Sequence, residues 1–219
     1  MKLKSIVLLE LFILFILSIN SSAQKIQYSA LKSGDIIFQN LDCGPTCDAI
    51  EAVTRSYKNM SFSHIGLIVK QNDSLKVIEA IGSKVQYTDL YQFMSRTKNA
   101  HAIARPKTNK KFDLEKALRF ANAQVGVPYD DEFIYNNNKY YCSELIYDAF
   151  MKGNNNKPFF KLEPMTFKPL GSDTFFEVWT DYYKKLGISI PEGALGINPG
   201  GISRSKRIKY LCDNCEVIK

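Results

Sequence analysis

Phe62-Ser63-His64-Ile65-Gly66-Leu67-Ile68-Val69 reads as a β-strand, and Ser74-Leu75-Lys76-Val77-Ile78-Glu79-Ala80-Ile81 reads as its partner. Successive side chains on a strand point to opposite faces. His64, Gly66 and Ile68 therefore share one face, and Ile65, Leu67 and Val69 share the other. Gln71-Asn72-Asp73 between the runs is rich in turn formers, so a hairpin is expected. A register that sets His64 opposite Glu79 brings their Cβ atoms to about 4.5–5.5 Å. A carboxylate there can hold one imidazole nitrogen. A slip of one residue would turn Glu79 to the other face. The plain alternative is an ordinary cross-strand His–Glu pair. Gly66, beside His64 and without a side chain, is expected to leave room for a substrate.

Working outward, Ser33-Gly34-Asp35 turns into the short strand Ile36-Ile37-Phe38. Thr46 is expected to cap a helix whose Ala49, Ile50, Ala52 and Val53 recur at helical spacing. Beyond the hairpin, Thr88 or Asp89 can cap a short helix through Met94, and residues 101–105 are extended. Asp113 opens a helix that stops at Gly126, and residues 141–151 form another, ended by Gly153. Residues 157–170, rich in Pro and Phe, are expected to wrap the surface. Residues 174–186 read as an aromatic helix closed by Gly187, and 191–201 as an ordered loop. This order predicts an α+β fold, a small antiparallel sheet packed with helices.

The chain has 219 residues, with 45% hydrophobic and 23% charged residues, which suits a single globular domain rather than a disordered chain. Lys2 and Lys4 precede an apolar run from Ile6 to Ile19, and Ser21-Ser22-Ala23 supplies small residues at the usual cleavage spacing. Residues 1–23 are therefore expected to be a secretory signal peptide, and 24–219 the single domain. The run is shorter than the roughly 20 residues of a spanning helix. Export across the cytoplasmic membrane, to the periplasm or beyond, follows. Without residues 1–23 the chain keeps 27 basic and 21 acidic residues, a net charge of +6. Such a protein is drawn to anionic surfaces, so peripheral association with an anionic envelope is an expectation beside plain solubility. No basic run with interleaved aromatics points to nucleic acid.

All five cysteines lie after residue 23: Cys43, Cys47, Cys142, Cys212 and Cys215. Outside the cytosol thiols tend to pair. Two local pairs or two cross pairs would consume four and leave Cys142, either as a reactive thiol or as an intermolecular link. A zinc site from the outer four is a weaker reading, because no histidine accompanies Cys43 and Cys47. Cys142 lies in Tyr140-Tyr141-Cys142-Ser143-Glu144-Leu145-Ile146, after the loop 136–139 and before an apolar helical stripe. That places it in the first turn of a helix, where free N–H groups and the helix dipole favour a thiolate and can bind an oxyanion. Taken alone, a cysteine at a helix start reads equally as a small buried apolar residue. The candidate bases are His64 and His101, since the chain has 2 histidines. His101 heads an apolar strand with no carboxylate beside it and reads as structural or exposed.

Five blocks in this order resemble a known family: Ser33–Phe38, Phe62–Gly66, Val77–Ala80, Gly126–Asp130 and Tyr141–Leu145. The set is similar to the permuted papain-like amidases of the YiiX/YaeF type, within the NlpC-like branch of papain-fold hydrolases. The resemblance covers about residues 31–150. It implies a circularly permuted papain-like fold with the histidine strand before the cysteine helix. It implies Cys142 as nucleophile, His64 as base and Glu79 as the acid that orients it. By similarity Tyr129, with Gly66 and Tyr141 nearby, would line the substrate cleft. It implies no cofactor and no metal. The expected substrate is an amide, such as a cell-wall peptide or a small amide. Alternatives are a lipid acyl substrate for the same residues, or a cell-wall or lipid binding module without turnover.

Overall fold

The structure is a computed structural model and describes residues 23–219. The expected signal segment lies, apart from Ala23, outside the described residues. In the first half run β1 (Gln24–Gln27), β2 (Ile36–Gln39), α1 (Pro45–Val53), β3 (His64–Gln71), β4 (Ser74–Ile81), β5 (Lys84–Asp89), α2 (Leu90–Met94) and β6 (His101–Pro106). In the second half run α3 (Leu114–Ala123), α4 (Cys142–Gly153), β7 (Glu163–Pro164), α5 (Glu177–Leu186), β8 (Leu195–Gly196), α6 (Pro199–Ser203), β9 (Ile208–Cys212) and β10 (Cys215–Ile218).

Six strands form one antiparallel sheet in the order β5-β4-β3-β2-β6-β9. Alternation sorts its side chains into two cores. Ile36, Phe38, Ile65, Leu67 and Ile78 pack with Leu145, Ile146 and Phe150 of α4. Ile37, Ile68, Val77 and Ile103 face the other way, against Leu90 and Phe93 of α2. β10 closes this second side by pairing in parallel with β1. A third cluster joins Ala49 of α1 to Phe167 and to Trp179 and Tyr183 of α5.

Buried Asp35 explains the turn that opens β2. Its carboxylate accepts from Lys32 N–H at 2.8 Å and takes both Nε and Nη2 of Arg105 on β6, at 2.7 and 2.8 Å. A buried carboxylate needs such saturation to offset its desolvation.

Several local expectations are corrected. Pro45, not Thr46, opens α1, with Gly44 at the cap at φ 77°. Proline at the first helical position lacks only an N–H that would have no partner anyway. Asp89, rather than Thr88, caps α2, accepting from the N–H groups of Tyr91 and Gln92. Six strands went unread: β1, β5, β7, β8, β9 and β10. Each is short, and β9 and β10 flank the Cys212–Cys215 turn. The loop at 191–201 contains β8 and the start of α6.

Candidate active site

Cys142 is the first residue of α4, and Tyr141 is the extended residue before it. Glu144, in the first turn, accepts from the Asn136 backbone N–H at 2.7 Å and so anchors the loop before the helix. The first helical hydrogen bond runs from Leu145 N–H to Tyr141 O. The N–H groups of Cys142 and Ser143 therefore have no acceptor within the helix. A strap ties this end down. Ser143 Oγ donates to Ile197 O at 2.8 Å, and Ile197 N–H donates to the Tyr141 phenol oxygen at 3.2 Å.

Cys142 is also the free cysteine of the described residues and is 7% exposed. The other four form the local disulfides Cys43–Cys47 and Cys212–Cys215. The cross pairing and the zinc reading are thus corrected: sulfurs bonded to each other cannot serve as thiolate ligands.

His64 is the first residue of β3 and is buried. Its Nε2 lies 2.6 Å from Glu79 Oε2. Its ring stacks on Phe93 with centroids 5.6 Å apart. The other nitrogen is left for Cys142, which lies near enough to act on the charge of the ring. Burial opposes a charge on His64, but the Cys142 sulfur and then the Glu79 carboxylate outweigh it and raise the ring to about 9. At neutral pH the imidazole is thus held protonated.

The expected route from His64 to Glu79 needs correction. In the observed register Leu67 faces Ile78, and the β3–β4 ladder stops there. Continued by one step, it would set Gly66, not His64, opposite Glu79. The displacement is two residues, so the face is kept and Glu79 is a diagonal neighbour of His64. Both residues lie past the last ladder pair.

Gly66 does not open a cleft. A Cβ there would stand 2.2 Å from Val77 Cγ1, 3.3 Å from Ile78 O and 3.4 Å from Phe93 Cε2. The missing side chain makes room for Val77 and for the ring on which His64 stacks. The substrate contact expected of Gly66 is withdrawn.

Arg96 was not singled out in the sequence. Its Nη1 donates to Glu79 Oε2 at 2.7 Å and its Nη2 to Oε1 at 2.5 Å. Thr88 Oγ1 also donates to Oε1. Burial works to raise Glu79, yet Arg96 first and His64 next bring it down to about 2. Arg96 follows a five-residue helix in a polar stretch with no periodic signal, so only its place in space marks it.

His101 is buried, with Nε2 at 2.9 Å from Gln39 Nε2, and burial lowers it to about 4. Gln39 pairs across the sheet with both His64 and His101. His101 is a neutral structural ring under Phe93. Burial pushes Glu144 up to about 8, which favours its neutral form at neutral pH.

Cys142 and His64 open onto a cleft of about 520 Å³. Tyr129 and Tyr141 line it as expected; Gly66 does not. Burial, then the nearby Cys142 sulfur, raise the Tyr129 phenol well above its ordinary value, so it stays a hydrogen-bond donor. The disulfide Cys43–Cys47, α1, α5 and the strap at Ile197 complete the walls. No local sequence pattern marks either the disulfide loop or the strap as part of the cleft.

The arrangement has counterparts. A family model described as permuted papain-like amidase enzyme, YaeF/YiiX, C92 family, matches residues 30–211. The uncharacterized protein YiiX of Escherichia coli strain K12 is 30% identical over 121 residues, 54% of this chain and 57% of that protein. The matched segment thus spans little more than half of that relative. A crystal structure titled metalloprotein yiiX from Escherichia coli O157:H7 superposes with a TM-score of 0.68 at 22% identity, covering 84% of this chain and 98% of that one. At that identity the likeness is one of fold.

Proposed function

The chain belongs to the permuted papain-like amidase family, and from that premise we propose that it is an exported cysteine amidase working through a thioester on Cys142. One observation carries this: the free thiol at the start of α4 shares one cleft with a buried imidazole that Glu79 fixes.

In the reactive form the Cys142 proton has passed to His64. The thiolate attacks the amide carbonyl carbon, and the carbonyl electron pair moves onto oxygen, facing the Cys142 N–H. The C–N bond then breaks as His64 gives its proton to the departing amine. His64, now neutral, takes a proton from water, and the hydroxide adds to the thioester carbon. The acid leaves and the thiolate returns. Glu79 keeps the ring oriented and stabilises its positive form. Tyr129 and Tyr141 border the bound substrate.

Export is supported by the signal-like residues 1–23 and by two disulfides in one small domain. The solved relative from Escherichia coli O157:H7 is described as a metalloprotein. Among the described residues of this chain no three His, Cys, Asp or Glu side chains gather as a metal-holding group. His64 and Glu79 are committed to each other and to Arg96. The donor set does not fit a resident metal, and no step is drawn through one.

The test is iodoacetamide labelling of the native protein, read by intact mass. Rapid alkylation of Cys142, slowed at least tenfold by His64→Ala, is expected. Equal labelling rates in both proteins would sink the assignment.

A further inference from the structure

We propose that the face built by the loops 107–112, 154–159 and 205–207 docks this protein on an anionic phospholipid bilayer.

Charge and packing carry the argument. Lys107, Lys110, Lys111, Lys157, Lys206 and Arg207 are all exposed, and among the described residues none of them reaches a carboxylate. The loops that carry them are tied together. Lys107 N–H donates to Arg207 O at 2.6 Å, and Lys107 Nζ donates to Lys206 O at 3.2 Å. The Arg207 guanidinium lies 5.0 Å over the Phe159 ring, and Phe159 packs on Phe112 at 5.1 Å. Asn155 Nδ2 donates to Lys111 O at 3.4 Å, and Asn154 Nδ2 to Lys157 O at 3.0 Å. The acid that follows the first loop, Asp113, is turned to its own helix: it accepts from Lys116 N–H at 2.8 Å and lies 3.9 Å from Arg119.

The face accounts for the whole charge surplus of the chain. After residue 23 there are 27 basic and 21 acidic residues, and setting these six cations aside leaves 21 of each sign. The other basic and acidic groups thus balance, and the positive field is concentrated here. No run in the sequence announces it, because each loop brings only one to three of the six.

A bilayer suits this face better than a nucleic acid or a single small anion. Five of the six are lysines, point charges on flexible stems, rather than the planar forks that grip one phosphate. None of them lines the cleft. Phe159 is buried and Phe112 packs inward on Phe150, so these rings are not offered to bases. The third loop follows Arg204, which does line the cleft, so docking sets the cleft mouth beside the lipid surface. Nothing in this docking uses the Cys142 thiol, and its test is independent of the amidase reading.

The experiment is co-sedimentation of residues 24–219 with vesicles of phosphatidylcholine alone or mixed three to one with phosphatidylglycerol. At about 50 mM salt the partition coefficient should be at least twentyfold higher on the mixed vesicles, and it should fall at least tenfold by about 300 mM. Each lysine removed from the face should cost about fivefold. Lys110→Gln with Lys111→Gln should therefore lower the partition at least tenfold. Lys184→Gln with Lys185→Gln, on the exposed end of α5, changes the net charge equally and should lower it less than twofold. Equal partition of the parent on both vesicles overturns the proposal, as does an equal loss in the two double variants. Tight binding to duplex DNA that Lys110→Gln with Lys111→Gln abolishes, without partition on the mixed vesicles, assigns the face to another polyanion and overturns it as well.

Discussion

Arg96 holds Glu79 with both terminal nitrogens, one on each carboxylate oxygen, at 2.7 and 2.5 Å. Glu79 in turn meets His64, and His64 meets Cys142. The proposed triad is therefore the inner part of a chain of four side chains, and its outermost member supplies the charge that keeps a fully buried carboxylate ionised.

Removing that charge should be costly twice. Arg96→Ala leaves Glu79 buried without its main partner, which typically costs about 3 kcal/mol. Unfolding by urea measures it. In Arg96→Gln the carboxylate should titrate at higher pH than in the parent. Activity would then gain an acid limb, read from the pH profile of kcat/KM. An unchanged profile would mean that Arg96 only braces the fold.

The pH dependence of the parent follows from His64. Its folded value of about 9 lies above the ordinary 6.5. The bound proton is thus favoured by the folded state. That stability is fully present below pH 6.5 and is lost as pH rises through 9. The same proton is the one the leaving amine needs, so kcat/KM should fall along an alkaline limb centred near pH 9. Glu79, at about 2 against 4.5, contributes in the opposite sense. Its stability is present above 4.5 and lost as pH falls through 2, so no acid limb from Glu79 is expected above pH 4.5.

Gly66→Ala should destabilise without touching the proposed nucleophile. The new methyl group meets Val77 Cγ1 at 2.2 Å. Overpacking of this kind costs about 1–3 kcal/mol. Adding Val77→Ala removes the clash, so the double variant should be more stable than additivity of the two single changes allows. Thermal melts of the four proteins give the coupling.

Cysteine counting gives a direct check on the disulfides. Denatured without reductant, the protein should take up one iodoacetamide, at Cys142; after reduction it should take up five. Two or more before reduction would contradict the local pairing.

The alternation in residues 62–69 and 74–81 and the turn between them gave the hairpin, and the apolar stripe after Cys142 gave the helix that presents it. These are local signals: strand periodicity and helix starts are written in neighbouring residues. Even the mistaken register kept Glu79 on the right face, because a shift of two preserves alternation. The long-range contacts carried no such mark. That Gly66 shelters Val77 and Phe93 depends on how α2 lies on the sheet. Arg96 reaches Glu79 from beyond that helix, and Ile197 is tied to Tyr141 and Ser143 from more than fifty residues away. Chain order and residue type thus set which groups could react, through backbone periodicity. Which charge steadies them, and which walls shape the cleft, came only from packing among distant segments, whose contacts no local pattern encodes.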